Sequence, residues 1–196
     1  MAVTTWHTDP THTDVQFSAK HMMVTTVRGK FTEVDGTLTL DEDRPEASFG
    51  SFTVKAASLE TGVGQRDGHL RSADFFDAET YPEITFVSTE VRAKRGDDYE
   101  VTGDLTIRGT TRPITFDVEF LGLYQGFTGR RAGFHATTKL NREDWGLTWN
   151  VALESGGWLV GKEIKLEIDL AMDEVVAQAT DGAVETTGSE PQAVGA

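Results

Sequence analysis

The chain has 196 residues, with 18 Lys and Arg against 32 Asp and Glu, a formal net charge of −14. Such an excess of acid argues against nucleic acid and anionic membrane surfaces as partners, because both are bound by a basic face. There is no cysteine, which removes disulfides, thiolate metal sites and thiol nucleophiles. A hydrophobic fraction of 38% in a chain of this length fits one domain with a sizeable core.

The first residues, MAVTTWHTDPTH, hold neither a basic region nor an apolar run. Neither a signal peptide nor a membrane span is expected there, and the expected location is cytoplasmic, with no stable membrane insertion. His7, His12 and His21 lie near Asp9 and Asp14, and HTDPTHTD looks like a metal cluster, but the spacing matches no zinc or iron motif, so no metal is expected.

From residue 14 to 172 the dominant signal is period-two alternation, with one apolar and one polar face. It runs through Val15, Phe17, Ala19, His21 and Met23. An inward His21 is either hydrogen-bonded in a core or turned to a ligand. Residues 27–41 and 45–56 also read as strands, but Phe31 and Leu38 differ in parity, as do Phe49 and Phe52. Bulges or bends near Thr32–Asp35 and Phe49–Ser51 would reconcile them.

The alternation stops at Ser58–Phe86. Gly62 and Gly64 predict a turn, and Gln65–Phe76 a short helix with Leu70, Ala73 and Phe76 inward and Asp67 four residues before Arg71. Arg66, Asp67, His69 and Arg71 read either as acid/base groups or as an ordinary charged helix start. Tyr81-Pro82 ends the excursion.

Alternation returns at Ile84 and Phe86, then at Tyr99, Val101, Gly103, Leu105 and Ile107. It continues at Ile114, Phe116, Val118 and Phe120, and at Phe134, Ala136, Thr138 and Leu140. Asn141–Trp145 is a polar cluster in which Arg142 either meets an anionic head group or braces the loop through a carboxylate. The last strand alternates from Ile164 to Met172. The segment 173–196 has five acids, no Lys or Arg and no aromatics, and is expected to be a disordered acidic tail with at most a helical turn around Glu174–Ala179.

These elements predict a mainly all-β fold, an eight-stranded antiparallel barrel with a short helical insert, closed so that no edge is exposed. A barrel of eight strands is either filled by its side chains or open to one ligand. The small residues Ala19, Gly103, Ala136 and Thr138 would leave room inside. No G-x-S-x-G, H-E-x-x-H or phosphate-binding loop is present, and no nucleophile stands beside an obvious base.

Several stretches together resemble the YceI-like family of lipocalin-like lipid- and polyisoprenoid-binding proteins. They are WHTDPTHTDVQFSAKHM (6–22), VRGKF (27–31), SLETG (58–62), RDGHLRSADFFD (66–77), YPEITF (81–86), GDLTIRGTTRPI (103–114) and NREDWG (141–146). The resemblance covers about residues 6–172, the expected barrel domain (1–172).

The resemblance implies an extended barrel holding a long-chain isoprenoid or other lipid amphiphile, without catalysis or cofactor, and a homodimer. Carried over by position, the ligand-binding residues are Phe17, Ala19, His21, Phe31, Phe86, Leu105, Ile107, Phe116, Phe134, Arg142 and Trp145. Two other readings stay open. One is an enzyme using His21, Asp67 or His69 as acid or base; the other is a stress or interaction protein with a filled core.

Overall fold

The computed structural model describes residues 3–126, 129–154 and 156–176. In chain order the elements are β1 (Val3–Thr8), β2 (Asp14–His21), β3 (Thr25–Phe31), β4 (Val34–Asp41), β5 (Phe49–Lys55), β6 (Leu59–Glu60) and α1 (Gly64–Arg71). They continue with β7 (Glu83–Ala93), β8 (Asp98–Ile107), β9 (Thr110–Gly126), β10 (Gly129–Asn141) and β11 (Val160–Glu174). All pairings are antiparallel.

Three of the ribbons are broken strands. β1 and β2 lie one after the other along β11, with Trp6 opposite Glu174 and Val15 opposite Ile168. β3 then pairs with β2 and β4 with β1, while β5 pairs with β4 and β6 with β3. Counting β1/β2, β3/β4 and β5/β6 as one ribbon each, eight strands follow one another around a closed barrel, sealed where β1 meets β11. Closure leaves each inner face apolar and each outer face wet, which is why the alternation was so regular.

Each break is held by side chains. At the first, Asp9 accepts from Thr11 N at 2.9 Å and Thr11 Oγ1 at 2.6 Å, and meets His12 Nδ1 at 2.6 Å and Arg131 Nη2 at 2.8 Å. The HTDPTHTD run is thus a strand corner, and among the described residues no group of histidines and acids is arranged to hold a metal. The second and third breaks are stitched together: Glu33 N donates to Ser58 Oγ at 3.1 Å and Thr32 N to Ser58 O at 3.3 Å.

The bend expected at Thr32–Asp35 is the β3–β4 break. None occurs at Phe49–Ser51, where β5 pairs with β4 and β7 in continuous register. Phe49 falls on the other parity because it sits at the barrel rim, half exposed. β1 had no counterpart in the expected strands. β2 stops at His21, because Met22 and Met23 adopt positive φ in the turn to β3, so Met23 is exposed.

The helix is shorter than Gln65–Phe76. Ser72 ends it, its N–H and hydroxyl both bonding to His69 O, and Asp77 at φ 49° closes a run of turns. Ala73 is therefore exposed, and Phe75 is the buried aromatic of this segment. The expected Asp67–Arg71 pair is replaced by bonds from Thr61 N and Oγ1 to Asp67 and from Arg71 to Leu59 O. At the C-terminus β11 runs through Asp173 and Glu174, and Asp173 pairs with Arg131 at 2.9 Å, so Glu174 is strand and not helical turn. The rest of the expected tail, 177–196, lies outside the described residues.

Phe17, Phe52 and Phe86 each pack their rings against a glycine of the neighbouring strand: Gly29, Gly36 and Gly103. A Cβ on Gly103 would stand 2.5 Å from both the Phe86 ring and Val87 O. Each ring thus takes the space that a Cβ on its glycine would fill while still bordering the lumen, an arrangement that supports glycine in sheets. Gly103 leaves room in the lumen only by taking in Phe86.

Candidate functional site

The barrel is hollow. A cavity of about 1190 Å³ follows its axis, lined by the inward residues of nearly every strand and by α1 and the loop after β10. That exceeds the roughly 300–1,000 Å³ usual for small-molecule sites and suits a long ligand. The lining is dominated by Val, Leu, Ile and Phe, so water inside gains few hydrogen bonds and an apolar chain is favoured over it.

All eleven residues expected at the site border this cavity: Phe17, Ala19 and His21 from β2, Phe31 from β3, Phe86 from β7, Leu105 and Ile107 from β8, Phe116 from β9, Phe134 from β10, and Arg142 and Trp145 from the turn after it. Phe17 and Phe31 pack at 5.5 Å between centroids, and Phe86 meets Phe116 edge-on at 5.2 Å. His21 is half-buried, and its ring has no hydrogen-bond partner among the described residues. Of the small residues expected to make room, Ala19 and Ala136 line the space.

Residues not expected in the binding set matter as much. Val27, Val34, Leu38, Phe52 and Val54 belong to the broken ribbons, where bends obscure the period. Val63, Gln65, Arg66 and His69 come from the α1 segment, and Trp149, Leu159 and Val160 from the loop.

The α1 end of the cavity is built around Arg142. The residue is only 3% exposed, and its guanidinium donates to three backbone carbonyls: Gly161 O at 3.0 Å, Val160 O at 3.5 Å and Leu147 O. It thus braces the loop through carbonyls and not through a carboxylate, and its Cζ lies 5.9 Å over the Phe75 ring. Burial works against its charge and draws its pKa down, with Glu143 opposing. Trp145 is fixed by Nε1 donating to Leu105 O at 3.0 Å. His69 stacks edge-on against Trp149 at 4.5 Å and pairs with Asp74 at 2.8 Å.

Asp67 is held by Thr61 and His69 by Asp74, and among the described residues no hydrogen bond joins His21, Asp67 and His69 to one another.

The YceI-like domain profile matches residues 6–172. A UPF0312 protein of Staphylococcus epidermidis is 39% identical over 167 residues, spanning 84% of this chain and 95% of that one. Protein YceI of an Escherichia coli strain is 41% identical over 139 residues, 69% of this chain and 71% of that one.

Among solved structures, the Campylobacter jejuni YceI protein superposes with TM-score 0.68 at 29% identity, covering 80% and 90% of the two chains. Burkholderia cenocepacia BcnA gives 0.72 at 24%, covering 84% and 98%. A Saccharophagus degradans domain described as polyisoprenoid binding gives 0.63 at 16%, covering 89% and 100%. The match over nearly the whole barrel, in both sequence and fold, places this chain in the YceI-like family.

Proposed function

We propose that this protein binds and carries, or sequesters, a lipid or isoprenoid amphiphile whose apolar chain lies along the barrel axis, and that it does so without catalysis. The observation that carries this reading is the apolar cavity of about 1190 Å³ running the length of the barrel. An interaction protein with a filled core would not contain it. The description of the Saccharophagus degradans domain as polyisoprenoid binding supports the same reading.

The energetics are sufficient. Each buried methylene contributes about 0.8 kcal/mol, so ten contribute roughly 8 kcal/mol before ordering costs. Such binding depends on chain length more than on polar contacts. An enzymatic reading has less support, because Asp67 is engaged by Thr61 and His69 by Asp74.

Native mass spectrometry of freshly purified protein, followed by organic extraction, tests the proposal. A stoichiometric co-purified amphiphile supports it. Empty protein that gains no thermal stability from quinones, polyprenyl phosphates or fatty acids overturns it.

A further inference from the structure

The net charge of −14 is unevenly spread. From Val15 to Thr32 the chain has no Asp or Glu, yet carries Lys20, Arg28 and Lys30. This stretch is the β2–β3 hairpin, whose Phe17, Ala19, Val27 and Phe31 line the cavity. The three cations alternate with those residues and so stand on the outer face, where Lys20 Nζ reaches Thr26 Oγ1 at 3.2 Å. Among the described residues no carboxylate forms an ion pair with any of the three. On the adjoining elements Glu163 is taken by Lys139 at 3.0 Å and Glu143 by Lys162 at 2.9 Å. Glu60 lies opposite Lys30 in the β3–β6 pairing and offsets that one cation, which leaves Lys20 and Arg28.

The tip of the hairpin goes against backbone preference. Val24 N closes the turn on His21 O at 3.3 Å, and the two residues between them, Met22 at φ 50° and Met23 at φ 62°, are both left-handed. Asn and Gly fill such positions with little strain, whereas long L side chains do not. Burial does not explain the choice, since Met23 is 69% exposed, Val24 81% and Met22 47%. Apolar side chains held in water at strained positions help neither folding nor solubility, and both features mark contact surfaces.

The tip is continuous with other exposed apolar groups at the α1 end. Met22 N donates to Leu159 O at 2.8 Å, and Met23 Sδ sits over Gly157, whose Cβ would come within 2.6 Å of it. Trp158, half exposed, follows Gly157, and Leu159 N donates to the carbonyl of exposed Val151 at 2.9 Å. His21 and Leu159 border the cavity, as does exposed Val63, so the patch lies at the rim of its α1 mouth.

We propose that the β2–β3 hairpin docks this end of the barrel on an anionic lipid bilayer. Met22, Met23, Val24 and Trp158 enter the interface, and Lys20 and Arg28 meet lipid phosphates behind them. An apolar tip backed by cations is the combination that holds a peripheral protein on such a surface, with tryptophan suited to the boundary. The acid excess elsewhere repels the same bilayer, so the hairpin sets the orientation in which the barrel approaches. The use of docking, to pass an amphiphile between bilayer and lumen, rests on the amphiphile-binding reading above.

Cosedimentation of the full chain with vesicles tests the docking. One set is phosphatidylcholine alone, the other equal parts phosphatidylcholine and phosphatidylglycerol, each at low and high salt. The expected result is a preference for the anionic vesicles of about tenfold or more, the scale of two cations near a charged surface, shrinking as salt rises. Lys20→Gln with Arg28→Gln should abolish most of that preference. Met22→Asn with Met23→Asn should weaken sedimentation by about tenfold or more, and because Asn accepts positive φ the turn is kept.

No sedimentation with anionic vesicles overturns the proposal. Binding that survives the two Asn substitutions overturns the assignment to the hairpin, and equal binding to both vesicle sets overturns the part given to Lys20 and Arg28. Light scattering without lipid is a further arm: a dimer that the Asn substitutions dissolve would make the patch a self-interface, against the proposal. Displacement of a fluorescent apolar probe by hexadecanol separates the two readings. Displacement without sedimentation overturns docking and leaves the binding reading standing, and sedimentation without displacement supports docking and overturns the binding reading.

Discussion

Replacing Gly29 by alanine tests how the barrel stays hollow. Gly29 has ordinary strand φ, so its backbone accepts alanine, but the new Cβ would stand 2.8 Å from Phe17 Cε1 and 2.8 Å from Thr61 Cγ2. Both obstacles are side chains. The Phe17 ring, packed at 5.5 Å on Phe31, has to leave the wall and swing into the lumen. Overpacking of this kind costs about 1–3 kcal/mol, and loss of glycine's freedom in the unfolded chain returns about 0.4–1 kcal/mol, leaving a net loss of roughly 1–2 kcal/mol. For a domain of this size that lowers Tm by about 2–8 °C.

Gly103→Ala should cost more, about 3 kcal/mol or beyond, because one obstacle is the Val87 carbonyl, which cannot rotate away. Urea denaturation followed by tryptophan fluorescence gives both values. A double-mutant cycle with Phe17→Ala then isolates the ring. Phe17→Ala should relieve much of the Gly29→Ala penalty. A neutral Gly29→Ala, or strict additivity with Phe17→Ala, would refute the claim that ring-on-glycine packing holds the lumen open.

Other outcomes follow from the same geometry. Across n-alkyl phosphates of increasing length, affinity should rise about fourfold per methylene, the equivalent of 0.8 kcal/mol, until the cavity is full; calorimetry would show a flat series if the chain stays outside. Asp9 is held well below the usual carboxylate range, first by the Thr11 hydroxyl and then by His12. With its folded pKa depressed, its stabilisation is complete above about pH 4 and is lost as pH falls toward the lowered value. Asp9→Asn should cost about 1–3 kcal/mol at neutral pH and flatten the acid limb of the stability curve, measured by urea melts from pH 2 to 7. Trp145→Phe removes the donor to the buried Leu105 carbonyl and should cost about 1–3 kcal/mol, read by the same melts. Arg142→Ala strips three carbonyls of their donor at once and should cost more than Trp145→Phe.

Much of the barrel was legible because closure imposes strict alternation, and β11 shows it from Ile164 to Met172. The β3–β4 break was visible as a slip of parity between Phe31 and Leu38. β1 was missed because VTTWHT buries only Trp6 and Thr8, a pattern too sparse to register as a strand. The helix was overextended because Ser72 ends it by bonding back to His69, a local competition that periodicity does not report. The apolar lining could be read from strand faces, but hollowness could not, since it depends on which cross-strand residue receives each ring.

The seam between β1 and β11 has a consequence for how the molecule is made. Thr8 pairs with Met172, so the contact that closes the wall joins segments some 164 residues apart. Closing so long a loop is slow, and a barrel of non-local pairings forms late. Until β11 has left the ribosome, the growing chain is an open sheet with its greasy face uncovered and two edges free. That interval is the most exposed to aggregation, and a lipid present then can be enclosed as the wall shuts instead of threading in afterwards.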